Sequence, residues 1–163
     1  MKPTAVILAA GLGTRMKSAL PKALHELAGK PMLLHVLAAV KGVVPERVVV
    51  VLGHQAERVR AALEGQDVVI AIQEKQLGTG HAVRQASDVI AAAAGPVMVL
   101  CADTPLLTAD TLRKLVETHG TSRASVTVMT AMVDDPFGYG RIVRNKTGIM
   151  RIVEEKDAST AQR

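Results

Sequence analysis

At 163 residues, 48% apolar and 21% charged, the chain is long enough to bury the core of one domain and too apolar to be disordered. Its net charge of +5 suits an anionic ligand, yet Tyr139 and Phe137 are its only aromatic residues and its Lys and Arg are scattered, which argues against nucleic acid as the partner. No run of about 18 apolar residues offers a membrane span, the first residues lack the apolar stretch of a signal peptide, and a single cysteine excludes an internal disulfide, so a cytoplasmic protein is expected.

In chain order, residues 4–10 (TAVILAA) read as a buried strand, and Pro31 opens a helix over 31–41. A second strand follows at 47–52 (RVVVVL), then an amphipathic helix at 55–63 closed by Gly65. A third strand is predicted at 68–72, a helix over 80–94, and a fourth strand at 96–101 (PVMVLC), with Cys101 as a small buried hydrophobe. Thr108 is placed as the N-cap of a helix that runs to His119 and stops at Gly120. This alternation predicts an α/β fold with a mostly parallel sheet covered by helices on both faces. Residues 124–133, 139–144 and 149–155 read as further strands, the last two joined across 145–148 as a small antiparallel extension near the carboxyl terminus. Neither a repeat nor a long linker appears, and 1–163 is read as one domain.

Ligands of open α/β sheets sit beyond the carboxyl ends of the strands. The unusual residues fall there: a Gly-rich loop from Gly11, the segment 73–80, and Asp103. Within LAAGLGTRM at 8–16, Gly11 and Gly13 permit positive φ and a close approach of backbone to an anion, and Arg15 can fork onto phosphate oxygens. The segment is neither a P-loop nor a dinucleotide fingerprint, since no GxxxxGK[ST] occurs and Met16 stands where the third Gly would be. Pro21 stiffens the chain before Lys22, a point charge for phosphates.

These motifs carry a resemblance. LAAGLGTRM with LPKALHELAGKPM at 20–32, QEKQLGTGHA at 73–82, DTPLL at 103–107, DPFGYGRIVR at 135–144 and IVEEKDA at 152–158 are together similar to the N-acetylglucosamine-1-phosphate uridyltransferases. These form the amino-terminal half of a bifunctional bacterial enzyme that feeds cell-envelope precursors. The resemblance implies a Rossmann-like nucleotidyltransferase fold that takes UTP, N-acetylglucosamine-1-phosphate and Mg2+. It implies that Leu8, Ala9, Ala10 and Gly11 border the uridine and its phosphates. It also implies that Gln73, with both donor and acceptor, reads the uracil edge, and that Gln76, Gly78 and Thr79 complete the base and ribose pocket. Asp103 is implied as the Mg2+ ligand, a hard carboxylate beside triphosphate oxygens. Gly140 and Glu154 are implied as sugar-binding, and Arg15 and Lys22 as the catalytic cations. His81 is read only as the first turn of a helix, and Glu155–Lys156–Asp157 as solvated charge.

The chain departs from the family in two places. Ala102 stands where relatives carry Gly before the Asp. The family also continues past the equivalent of Arg163, into a sugar-binding segment with a second Mg2+ ligand and then a β-helix with the trimer contacts. The expectation is therefore a domain incomplete at its carboxyl-terminal end and monomeric, with metal-dependent UTP binding and slow transfer. Another sugar-1-phosphate nucleotidyltransferase and a non-catalytic UTP-binding module remain the alternative readings.

Overall fold

A computed structural model describes residues 2–13, 16–146 and 148–162. The chain divides into two compact units, Met1–Ser125 and Val126–Arg163.

The first unit is built on four parallel strands, β1 (Thr4–Ala9), β4 (Arg47–Leu52), β5 (Val69–Ile72) and β6 (Val97–Cys101), in the order β5-β4-β1-β6. Val6 lies opposite Val49 on one side and Val99 on the other. Successive side chains of a strand point to opposite faces, so the apolar runs of β1 and β4 supply two cores. On one face Ala5, Ile7, Val48, Val50 and Leu52 pack with Leu33, Val36, Leu37 and Val40 of α1 (Met32–Lys41), Val59 of α2 (Ala56–Ala61) and Leu112 of α5 (Ala109–Ser122). The α1 residues recur at i, i+3, i+4 and i+7, one stripe of a helix. On the other face Val6, Ala10, Val49 and Val51 meet Ala82 of α3 (Thr79–Arg84) and Ala86, which precedes α4 (Ser87–Ala91). Ile7 is fully buried, and Ile7→Ala would cost about 2–5 kcal/mol through the lost burial and the cavity left behind.

The strand order places the site. From β1 the chain moves outward to β4 and β5, then returns to β6 on the other side of β1. The switch point therefore lies between β1 and β6, where the loops beyond their carboxyl ends diverge and leave a crevice. Ala102 N–H donates to the Leu8 carbonyl (3.0 Å), which carries the pairing one step past β6.

Several expectations are corrected. Cys101 is exposed rather than buried. β6 is an edge strand whose Met98 and Leu100 face the α1 core, while Val97, Val99 and Cys101 face outward. The helix expected over 80–94 is broken between α3 and α4. In a continuous helix the Gln85 N–H would take the His81 carbonyl. Here the Gln85 side chain takes that carbonyl (2.9 Å), and its backbone N–H turns to Ala82 (3.1 Å). Thr108 does cap α5, accepting from Thr111 N–H at 3.2 Å, but the helix runs through Gly120 to Ser122. Beyond Gly120, the Thr121 hydroxyl donates to the Glu117 carbonyl at 3.1 Å. A hairpin unseen in the sequence pairs β2 (Glu26–Leu27) with β3 (Lys30–Pro31). Ala28 (φ 50°) and Gly29 (φ 72°) form its two-residue turn, both left-handed.

In the second unit β7 (Arg141–Asn145) and β8 (Gly148–Val153) form the expected antiparallel hairpin, with an irregularity at Val143/Arg144. The strand expected over 124–133 is absent: these residues form no regular element, and Val126 and Met132 are exposed. Alternating β-branched residues favour extended backbone, but a strand also needs a neighbour to take its N–H and C=O groups. Glu155 is not solvated charge. It holds Arg141 at 2.6 Å, and Arg141 also donates to the Pro136 carbonyl at 2.8 Å, so the pair ties the 136–141 turn to the residues after β8.

Candidate active site

A cleft of about 560 Å3 opens at the carboxyl ends of β1 and β6. Leu8 and Ala9 line it from the end of β1, Ala10 and Gly11 from the loop that follows, Lys22 from a single helical turn (Lys22–Leu24), Gln73, Gln76 and Gly78 from the segment between β5 and α3, Thr79 from the start of α3, and Asp103 from beyond β6. The structure thus brings together ten of the residues singled out from the sequence. Arg15 lies outside the described residues. Gly140 and Glu154 belong to the second unit. A Cβ on Gly140 would stand 3.0 Å from Ile152 Cγ2, so the glycine lets the turn approach β8 closely, and Glu154 is exposed just after that strand.

Lys22 and Asp103 form the charged centre. The Lys22 Nζ donates to Asp103 Oδ2, joining residues 81 apart in sequence. Pro21, extended at ψ 136°, delivers Lys22 into a turn closed by Leu24 N–H on the Pro21 carbonyl (2.9 Å). Gly13, at φ 62°, passes beneath it; a Cβ there would stand 2.9 Å from Lys22 Cβ. The approach expected of both loop glycines is to an anion; the one the structure shows at Gly13 is to Lys22. At Gly11 a Cβ would meet nothing within 4 Å, so only Gly13 requires its missing side chain. Behind Asp103 the Thr104 hydroxyl donates to the Cys101 carbonyl (2.8 Å) and fixes the turn. The ammonium can take an anion and the carboxylate a cation. Each half of the pair is therefore a ready ligand once the other is given a substitute.

Among the described residues no cluster of three or more His, Cys, Asp or Glu could hold a metal. A lone carboxylate still fits Mg2+, which keeps several waters and fills its shell with phosphate oxygens. Cys101, overlooked as a site residue, also lines the cleft. Its thiol pKa is raised, first by desolvation and then by the Asp103 carboxylate, against the opposing pull of the Lys22 ammonium.

Gln73 shapes the far end. Its backbone N–H donates to the Leu52 carbonyl at 2.7 Å, one step past the β4–β5 ladder, and its side chain is turned inward with 3% exposure. Its amide nitrogen reaches the Gly78 carbonyl (3.1 Å) and His81 Nδ1 (2.9 Å). Gln76 folds back to donate to the Gln73 carbonyl at 3.2 Å. Gly53 leaves room for this wall: a Cβ there would stand 2.8 Å from the Ala10 carbonyl oxygen and 2.9 Å from Gln76 Nε2. Gly53 carries no local sequence signal for this role, because it meets partners from other segments, Ala10 and Gln76; His81 lies within the 73–82 motif, where it is read only as the first turn of a helix.

A larger groove, about 830 Å3, lies at the amino ends of the strands beside Lys2, Pro3, Pro96 and α5. Its Arg113 is paired with Asp110 one turn away and donates to the Gly42 carbonyl (3.3 Å). No described helix is long and apolar enough to cross a membrane.

Residues 5–148 match the MobA-like NTP transferase domain. The bifunctional protein GlmU of Trichlorobacter lovleyi is 57% identical over 158 residues, covering 95% of this chain and 34% of that protein. Its counterpart in Staphylococcus epidermidis is 50% identical over 164 residues, 100% of this chain and 36% of that one. The chain thus spans about a third of the curated relatives it matches. Among solved structures, HddC from Yersinia pseudotuberculosis complexed with GMP-PN is 27% identical, with a TM-score of 0.76 over 94% of this chain and 69% of that one.

Proposed function

The chain belongs to the MobA-like NTP transferase domain family, and from that membership we propose that its cleft binds UTP with Mg2+ and transfers the uridylyl group to N-acetylglucosamine-1-phosphate. The products are UDP-N-acetylglucosamine and pyrophosphate. The observation that carries this reading is the meeting of Lys22 and Asp103 across the cleft at the switch point of the sheet. Relatives named as GlmU over the whole of this chain's length support it.

In this reading a phosphate oxygen of the sugar phosphate attacks the α-phosphorus of UTP. The new P–O bond forms as the bond to the bridging oxygen breaks, and pyrophosphate leaves with the electron pair. No protein nucleophile is needed; position and charge neutralisation do the work. Lys22 leaves Asp103 for the phosphates and neutralises their charge, with Arg15 as its partner in that role. Asp103, freed, would hold Mg2+, which supplies further neutralisation of the triphosphate. Leu8, Ala9, Ala10 and Gly11 border the nucleotide and Gln73, Gln76, Gly78 and Thr79 form its base and ribose pocket; Gly140 and Glu154 keep the sugar-binding role that the family resemblance implies for them. The same reading places the reaction in the cytosol, where a lone unpaired cysteine is at home.

Calorimetry with Mg2+ and UTP, ATP or GTP tests the assignment. UTP is expected to bind best. Equal affinity for a purine triphosphate would remove the uridine assignment, and the nucleotide held by the Yersinia protein makes GTP the pointed control. Pyrophosphate release on adding N-acetylglucosamine-1-phosphate tests the transfer. Tight UTP binding with no release at all would leave a binding module.

A further inference from the structure

We infer that His81, which does not itself line the cleft, sets the base preference of the site by engaging the second hydrogen of the Gln73 amide, so that a bound base meets only Oε1. The inference rests on the reading of the cleft as a uridine-nucleotide site, and it makes His81 a positioning residue. An amide nitrogen has two hydrogens to give and no lone pair to accept with. The Gly78 carbonyl, 3.1 Å away, fixes the orientation of the Gln73 amide, because the opposite orientation would set two oxygens against each other. The second hydrogen then points to His81 Nδ1 at 2.9 Å. Nδ1 must accept, so the neutral ring carries its proton on Nε2. Gln85 donates to the His81 carbonyl at 2.9 Å, and its amide nitrogen, 3.3 Å from Nε2, competes for the one acceptor of the neutral ring; the shorter 2.9 Å contact from Gln73 takes it at Nδ1.

Both hydrogens of the Gln73 amide are thereby engaged, and only Oε1 remains, an acceptor with no bond to any described residue. At 3% exposure the side chain has little water to compensate a wrong partner. A pyrimidine with an N–H at ring position 3, as in uracil, satisfies Oε1. One with a bare nitrogen there, as in cytosine, sets lone pair against lone pair. Without His81 the Gly78 carbonyl still holds the amide, but the second hydrogen is freed to meet the bare ring nitrogen of cytosine, and the discrimination falls.

The test is the ratio of CTP to UTP dissociation constants, measured by calorimetry with Mg2+ for the wild-type chain and for His81→Phe and His81→Asn. Phe keeps a ring and loses the acceptor; Asn places Oδ1 where Nδ1 stood. We expect the ratio to fall about tenfold in His81→Phe, the worth of one buried polar mismatch, and to recover in His81→Asn. A role in packing alone would not restore the ratio in the smaller variant. A wild-type preference for UTP that persists in His81→Phe, or that is lost equally in His81→Asn, overturns the inference and leaves the uridine reading standing. No wild-type preference overturns both. Nitrogen-15 NMR of the histidines gives an arm that needs no variant to fold: an Nδ1 of His81 that carries the proton in the neutral ring overturns the inference.

Discussion

At the carboxyl ends of the strands, a cleft of about 560 Å3 gathers Lys22, Gln73 and Asp103; at the amino ends of the same strands, a groove of about 830 Å3 runs along Pro3, Pro96 and α5. The larger opening holds the weaker chemistry. Its Arg113 is engaged within its own helix turn, by Asp110. In the cleft, opposite charges arrive from segments 81 residues apart and meet where no helix or strand has use for them. Volume alone therefore does not mark a site. Functional groups converging from separate strand ends do, and a parallel sheet with a switch point supplies that convergence at one end only.

The comparison breaks most sharply at Lys22. Lys22→Ala should weaken Mg2+-dependent UTP binding more than tenfold, since a charge-assisted bond contributes about 1.5–3 kcal/mol. Uridine itself should bind almost as before. Calorimetry on both ligands checks this, and an equal loss for uridine would take Lys22 away from the phosphates. The same substitution should change folding stability by less than about 1 kcal/mol, because the side chains of the pair are 39% and 34% exposed.

Gly53→Ala probes the wall that the amino-end groove lacks. The added methyl would press on the Ala10 carbonyl and Gln76 together, and overpacking against backbone costs about 1–3 kcal/mol. Urea unfolding should show that loss alongside weaker UTP binding. A variant with unchanged stability and unchanged affinity would show that the wall yields freely.

Cys101 reports on the charge in the cleft. With its thiol pKa raised, less thiolate is present near pH 8 than for a free cysteine, and alkylation by iodoacetamide should be slow. Asp103→Asn removes one of the raising influences, so the midpoint of the rate against pH should move down. Mg2+ with UTP should slow alkylation severalfold by covering the thiol. Unchanged rates with ligand present would place the nucleotide elsewhere. The smallest effect is expected at the other end of the sheet: Arg113→Ala should leave UTP affinity within about twofold. A loss matching that of Lys22→Ala would overturn the distinction between the two ends.

Much of the fold was legible because it depends on local pattern. β-branched runs at 47–52 and 96–101 and the apolar stripe of α1 repeat at the periods of strand and helix, and such periods need no distant partner. Thr108 likewise announces α5, since an N-cap bonds to backbone three residues on. Of the site, the motif resemblance marked residues that the fold brings into one cleft. It did not mark Gly53 or Cys101, whose parts depend on segments folded against them, and it gave no role to His81 although the 73–82 motif contains it.

The sequence by itself therefore determined the alternation of strands and helices and the loops in which the unusual residues lie. Only the tertiary structure decided that Cys101 faces outward, that 80–94 breaks at Gln85, that 124–133 forms no strand, and that Lys22 rests on Asp103. Whether an edge is covered, a strand finds a neighbour or two charges meet depends on which segments lie side by side. Strand order sets that adjacency, and no local period encodes it.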